Sequence, residues 1–282
     1  MTNLGQALRD AADSLVGASV DSPRLTAETL LMFVTGFDRA FLLTHPEHVL
    51  TQEERRQFDA ALQQRAQGMP TQYITGHQEF WGLDIMVSPA VLIPRPETEH
   101  VVEAVLERAR ALVAPRIVDV GTGSGCIALA LAKELPSAEI HAVDISAAAL
   151  EVARANAARH GMSERIRFQA GDLLNGFVDE AEKFDFVVSN PPYVGEMERD
   201  GLPGEVRDFE PHAALFAGTS GLDIIERLIP EAETCLKSGG WLVFEIGKGQ
   251  DIVVQKLLRG WNSVVWTADL QGIPRVVVAQ RG

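Results

Sequence analysis

One nine-residue stretch constrains the fold of this chain more than any other. Val118-Asp119-Val120-Gly121-Thr122-Gly123-Ser124-Gly125-Cys126 runs from an apolar segment into three alternating glycines and then into a helical pattern. An apolar run this short, closed by glycines and followed by a helix, is a strand feeding a tight turn, and such a unit is at home in a parallel sheet. The pattern repeats downstream. Strands are predicted near residues 117–120, 139–143, 166–170, 184–188, 241–246, 263–267 and 275–279, with helices near 98–112, 126–135, 147–160, 222–236 and 250–258. Strands alternating with helices at this spacing imply an α/β, doubly wound, mostly parallel sheet with its ligands at the carboxyl ends of the strands. The last two strands follow each other closely enough to form an antiparallel pair.

Gly121, Gly123 and Gly125 permit positive φ and let a ligand approach the backbone, with Thr122 and Ser124 between them. The spacing is Gly-x-Gly-x-Gly, not the Gly-x-Gly-x-x-Gly of a pyrophosphate site. Neither Lys-Ser nor Lys-Thr follows, which excludes a P-loop. Asp144 ends the next strand, nineteen residues beyond Gly125, where an acid can accept both hydroxyls of a ribose. Asp172, after the third strand, is placed to meet an adenine amine, and Leu173 to lie against the base. A glycine loop without a phosphate-binding pattern, backed by strand-end acids, suits S-adenosylmethionine, whose sulfonium carries no phosphate. Cys126 reads as a small buried residue at a helix start.

Asn190-Pro191-Pro192-Tyr193 follows the apolar run of the fourth strand. Amide and exocyclic nitrogens are weak nucleophiles because their lone pair is delocalised. The side-chain oxygen of Asn190 and the backbone carbonyl of Pro191 could each accept one N–H of a planar –NH2 group. Two prolines make a stiff loop, and the Tyr193 ring can stack on a planar substrate. The arrangement suggests methyl transfer to nitrogen, although Asn-Pro also ends strands in ordinary turns.

Upstream, residues 1–75 read as helices only. Leu4, Leu8, Ala11, Ala12 and Leu15 recur at helical spacing; a second helix starts at Pro23 and stops at Gly36; a third follows Thr51 and Glu54, which fit a capping box. Residues 76–96 are rich in aromatic, β-branched and turn residues, and the alternation Leu83-Asp84-Ile85-Met86-Val87 suggests a β-hairpin linker to residues 97–282. Acidic residues outnumber basic ones by 39 to 25, a formal charge of -14, which opposes long-range attraction to a phosphate backbone and argues against stable nucleic-acid binding. Cys126 and Cys235 and the scattered histidines lack metal-ligand spacing, so no metal is expected. Two cysteines fit a reducing compartment, and Arg9, Asp10 and Asp13 interrupt Leu4 to Val20, so neither a signal peptide nor a membrane span is read there. A cytoplasmic monomer is the expectation.

The chain resembles the HemK/PrmC family of release-factor glutamine N5-methyltransferases over nearly its full length. The likeness is carried by Pro70-Thr71-Gln72-Tyr73-Ile74-Thr75-Gly76, by Leu92-Ile93-Pro94-Arg95-Pro96-Glu97-Thr98-Glu99, by the glycine loop and by Asn190-Pro191-Pro192-Tyr193. Arg207-Asp208-Phe209-Glu210-Pro211, Glu245-Ile246-Gly247 and Gln250 extend it. It implies a class I S-adenosylmethionine-dependent methyltransferase, Rossmann-like and seven-stranded, with a small N-terminal helical bundle that grips the protein partner. It implies as substrate the glutamine of a Gly-Gly-Gln loop in class 1 peptide chain release factors, with S-adenosylhomocysteine as the other product. Carried over by position, Gly121 to Gly125, Asp144, Leu173 and Asn190 bind the cofactor, and Asn190, Pro191, Pro192 and Tyr193 bind the glutamine. Arg95, Glu97 and Glu210 are family-like, with an ion pair between Arg95 and Glu97 as one reading. The alternatives are an amino-methyltransferase acting on adenine or guanine in nucleic acid, a non-catalytic cofactor-binding scaffold, and a nicotinamide dehydrogenase, which the misplaced third glycine disfavours.

Overall fold

The computed structural model describes residues 2–179 and 181–282, which divide into two compact units. The first comprises residues 1–77 together with Pro203–Phe209. Its helices are α1 (Leu4–Gly17), α2 (Pro23–Thr35), α3 (Arg39–Thr44), α4 (Gln52–Ala66) and α5 (Thr71–Thr75). Leu4, Leu15, Leu30, Leu31, Leu42 and Phe58 are fully buried, so the apolar faces read from the spacing are the ones packed together. The capping box forms: the Thr51 hydroxyl accepts from the Glu54 amide at 3.2 Å, and Glu54 accepts from the Thr51 amide at 2.7 Å. Tyr73 lies in α5, a single turn closed by Gly76 at φ 78°. A later segment joins this unit, because Arg65 donates to Glu205 at 2.6 Å and the Phe209 ring lies over Gly68.

The second unit holds residues 78–202 and 210–282. The hairpin is β1 (His77–Phe80) and β2 (Leu83–Met86), joined at Trp81 and Gly82. Both turn residues take positive φ, 54° and 64°, as a two-residue hairpin turn requires. The strained Trp81 is held by three polar contacts: its amide donates to Glu99, its indole N–H to Glu134, and its carbonyl accepts from Lys133.

Beyond a 3₁₀ turn at Pro96–Thr98 come α6 (Glu99–Ala109), β3 (Arg116–Val120), α7 (Cys126–Glu134), β4 (Glu139–Asp144), α8 (Ala147–Arg159), β5 (Ile166–Ala170) and β6 (Phe184–Ser189). A second 3₁₀ segment, Glu196–Gly201, precedes α9 (Gly204–Phe209), which belongs to the first unit, and α10 (His212–Leu215). The chain closes with α11 (Asp223–Cys235), β7 (Leu236–Glu245), α12 (Asp251–Leu257), β8 (Asn262–Ala268) and β9 (Pro274–Gln280).

The seven-stranded sheet has the order β5-β4-β3-β6-β7-β9-β8. β3 to β7 pair in parallel, and β9 and β8 are antiparallel. The order reverses between β3 and β6, so the crevice outside their carboxyl ends is where a doubly wound sheet places its ligand. All five residues of β3 are buried, as expected of a central strand covered on both faces. β7 starts five residues ahead of the predicted 241 because Leu236 already pairs with Phe184, and pairing resumes at Trp241 opposite Phe186 across an irregularity that holds Lys237-Ser238-Gly239-Gly240. Gly239 takes φ 78° there, and a Cβ on Gly240 would sit 3.2 Å from the Asp185 carbonyl.

Candidate active site

β3 delivers the glycine turn, and the turn is tied to the neighbouring strand by its own backbone. The Gly121 and Thr122 amides both donate to the Val143 carbonyl, at 2.8 and 3.0 Å, and the Gly125 amide closes on the Thr122 carbonyl at 2.8 Å. All three glycines have positive φ. Gly125 also needs to lack a side chain, since a Cβ would stand 3.2 Å from that of Ala153. Over Gly121 the space is open, and a Cβ would meet no protein atom within 4 Å.

Asp144, at the end of β4, accepts from the Gly123 amide at 2.8 Å through one oxygen and from the Ser146 amide at 2.8 Å through the other. Its carboxylate is thereby fixed beside the turn, with lone pairs to spare. Asp172 and Leu173 follow β5. Leu173 takes φ 51°, an unusual conformation for a bulky residue, and its side chain packs against the core. The Asp172 carboxylate is half-exposed and turned to Arg227 at 2.7 Å.

Asp119 carries no role in the sequence reading, yet it is fully buried beneath the turn. One oxygen accepts from the Thr122 hydroxyl at 2.6 Å and the Ala128 amide at 3.3 Å; the other is buried with no partner. Burial pushes its pKa up to about 7, and the nearby Asp144 charge adds to the rise. An acid two residues ahead of the first glycine, inside an apolar strand, is the signal that marks it. Cys126 is buried as expected, and burial pushes its thiol up to about 12, which makes it inert.

β6 delivers the second half of the site. Ser189 anchors its end by donating to the Val120 carbonyl at 2.7 Å. Asn190 donates its side-chain N–H to the Thr98 hydroxyl at 2.9 Å, Thr98 donates to Glu245 at 2.6 Å, and the Tyr193 hydroxyl donates to the other Glu245 oxygen at 2.8 Å. Thr98 and Glu245 are fully buried. Burial raises the Glu245 pKa, while its two hydroxyl donors pull it back. Burial also raises the Tyr193 pKa well above its ordinary value, so the phenol stays protonated and donating. Gln250 completes the loop: it accepts from the Gly247 amide at 2.9 Å and donates to the Tyr193 carbonyl at 2.9 Å. Gly221 lies so close to that carbonyl that a Cβ would stand 2.2 Å from it.

Two acceptors are left over. Among the described residues, neither the Asn190 side-chain oxygen nor the Pro191 carbonyl receives a hydrogen bond from the protein. The structure thus brings together Gly121, Thr122, Gly123, Ser124, Gly125 and Asp144 at one strand end, and Asn190, Pro191, Pro192 and Tyr193 at its neighbour. Arg95 pairs with buried Glu210, which also accepts from the Ile93 amide at 3.3 Å, so its partner is not Glu97. That contact ties the linker to the catalytic unit. Buried Asn156 does likewise for the hairpin, bonding Met86 at 2.7 Å and the Ser124 carbonyl at 2.9 Å.

The residues fit S-adenosylmethionine on three counts visible in the protein itself: open space over Gly121, an unmatched buried acid oxygen beneath the turn, and a carboxylate fixed at the adjoining strand end. Such a cradle takes a ligand that brings hydrogen-bond donors and positive charge. Among the described residues no cluster of histidine, cysteine and acids could hold a metal ion, and no helix is long and apolar enough to cross a membrane.

Two family models match the chain, the PrmC N-terminal domain over residues 6–76 and the methyltransferase small domain over residues 98–202. A release factor glutamine methyltransferase from Koribacter versatilis is 52% identical over 278 residues, 99% of this chain and 98% of that protein. Another from Moorella thermoacetica is 46% identical over 256 residues, covering 91% and 89%. The solved catalytic domain of hMettl16 superposes with a TM-score of 0.57 at 19% identity, covering 80% of this chain and 81% of that one, a likeness of fold alone.

Proposed function

The chain belongs to the release factor glutamine methyltransferase family, and from that premise we propose that it methylates the side-chain amide nitrogen of the Gly-Gly-Gln glutamine in class 1 peptide chain release factors. The observation that carries the reading is the pair of unclaimed acceptors, the Asn190 side-chain oxygen and the Pro191 carbonyl. Two acceptors match the two N–H groups of a primary carboxamide, and holding both turns the nitrogen lone pair out of conjugation and towards an electrophile. S-adenosylmethionine, when bound, supplies that electrophile as a methyl group on a sulfonium.

Gly121 to Gly125, Asp144 and Asn190 would hold the cofactor, with Asp172 and Leu173 lining its adenine end and no directed bond from the Asp172 carboxylate, which Arg227 already engages. Asn190, Pro191, Pro192 and Tyr193 would hold the glutamine. As the nitrogen–methyl bond forms the sulfur–methyl bond breaks, and no side chain need remove a proton beforehand, because the hydrogen bonds to Asn190 and Pro191 strengthen as positive charge grows on the nitrogen, which then gives one N–H proton to solvent. Tyr193, locked to Glu245 and held protonated by burial, orients the acceptor without titrating. Catalysis is therefore alignment plus preorganised acceptors. The N-terminal helical unit would grip the release factor as a protein surface, and a cytoplasmic monomer suits that task.

Incubating the chain with a release factor and cofactor, then mapping added methyl by mass spectrometry, tests the assignment. One methyl on the Gly-Gly-Gln glutamine is expected. Labelled methyl appearing on nucleic acid and not on the release factor would overturn it.

A further inference from the structure

Thr98 and Glu245 come from two segments that the family likeness marks without giving them work. The hydrogen-bond directions assign that work. Glu245 accepts from both hydroxyls that face it, Thr98 at 2.6 Å and Tyr193 at 2.8 Å. Thr98 has one proton, and Glu245 takes it. Towards Asn190 the Thr98 oxygen can then only accept, so the Asn190 amide must present its N–H2 to Thr98, at 2.9 Å, and its oxygen to the open side. Turning the amide over would set two acceptors against each other at Thr98. It would also set a donor against the N–H2 of the substrate.

Among the described residues, no other contact of Asn190 distinguishes the two ends of its amide. We propose that Thr98 and Glu245 are positioning residues for methyl transfer: the buried carboxylate, acting through the threonine hydroxyl, selects the orientation of Asn190 that offers its oxygen to the acceptor amide. The same carboxylate holds Tyr193, so both ends of the Asn-Pro-Pro-Tyr loop are referred to one buried group. This inference rests on the proposed role of the loop. It adds residues that touch neither substrate nor reacting atoms.

The test is single-turnover transfer of tritiated methyl to a release factor by the full chain, with calorimetric affinity for S-adenosylhomocysteine measured alongside. Thr98→Val keeps the shape and loses the hydroxyl; turnover should fall about tenfold or more, the weight of one ordinary hydrogen bond, with little change in product affinity. Thr98→Ser, which restores the hydroxyl, should return most of the rate. In an Asn190→Ala background Thr98→Val should cost nothing further, because its effect passes through Asn190. Wild-type turnover in Thr98→Val, a serine variant as slow as the valine one, or losses that add in the Asn190→Ala background would each overturn the inference. Should thermal melting show Thr98→Val unfolded, Thr98→Ala carries the test. It too removes the hydroxyl that faces Asn190, and a wild-type rate there overturns the inference equally. A wild-type chain that leaves the release factor unmethylated sinks the functional reading itself, before any variant is made.

Discussion

Each half of the site is built over one buried carboxylate, and the two are satisfied in opposite ways. Asp119, under the glycine turn, leaves one oxygen buried and unmatched, and its partners Thr122 and Ala128 lie within nine residues of it. Glu245, under the Asn-Pro-Pro-Tyr loop, has a hydroxyl on each oxygen, and those hydroxyls come from Thr98 and Tyr193, far along the chain. A buried oxygen without a donor is costly, so the half proposed for the cofactor suits a ligand that brings one. The acceptor half is complete before anything binds, and it presents two fixed oxygens. One half waits; the other is preorganised.

The largest test of this contrast is the stability of the ligand-free chain against pH. The folded pKa of Asp119, about 7, lies above its ordinary value of 3.8. The folded state therefore holds a proton that the unfolded chain gives up. The contribution is fully present below the ordinary value and is lost as pH rises through about 7. Over that window the loss amounts to about 4 kcal/mol at 1.4 kcal/mol per unit. Asp119→Asn keeps the acceptor for Thr122 and Ala128 and removes the titration. Its urea-unfolding free energy should fall less from acid to neutral pH than that of the wild type; parallel curves would mean that Asp119 is not the strained acid.

Asn190→Ala should come next, slowing single-turnover methylation about a hundredfold, or roughly 3 kcal/mol of barrier, as one preorganised polar group commonly does. An unchanged rate would break the proposed division between the halves. Asp144→Ala should act on the other side, weakening S-adenosylhomocysteine about tenfold by freeing the Gly123 and Ser146 amides, with turnover at saturating cofactor nearly intact. Calorimetry and initial rates measured together would separate the two. The smallest effect belongs to Asp172→Ala, because its carboxylate is half-exposed and already engaged by Arg227. A change of under about threefold in cofactor affinity is expected, the scale of a surface ion pair. A large loss would show that Asp172 leaves Arg227 for the ligand.

How far the sequence alone reaches follows the same division. The glycine turn, Asp144 and the parallel strands were legible because each depends on neighbours a few residues away: glycines set φ, and a buried strand reads as a short apolar run. The antiparallel pairing of β8 and β9 was legible for the same reason. The start of β7 was not, because Gly239 and Gly240 look like a turn until β6 and β9 pair around them. Nor was the Arg95 partner, since Glu97 is close in sequence while Glu210 is close only in space.

The sheet, its switch point, the Gly-x-Gly-x-Gly turn and the Asn-Pro-Pro-Tyr segment at a strand end all follow from local pattern and residue chemistry. Which way the Asn190 amide faces depends on contacts that exist only in the folded chain. Asn190 has a symmetric-looking amide, and its two ends become distinct only when Thr98 and Glu245 are folded against it, because the direction of a hydrogen bond is set by what its partner has already given away.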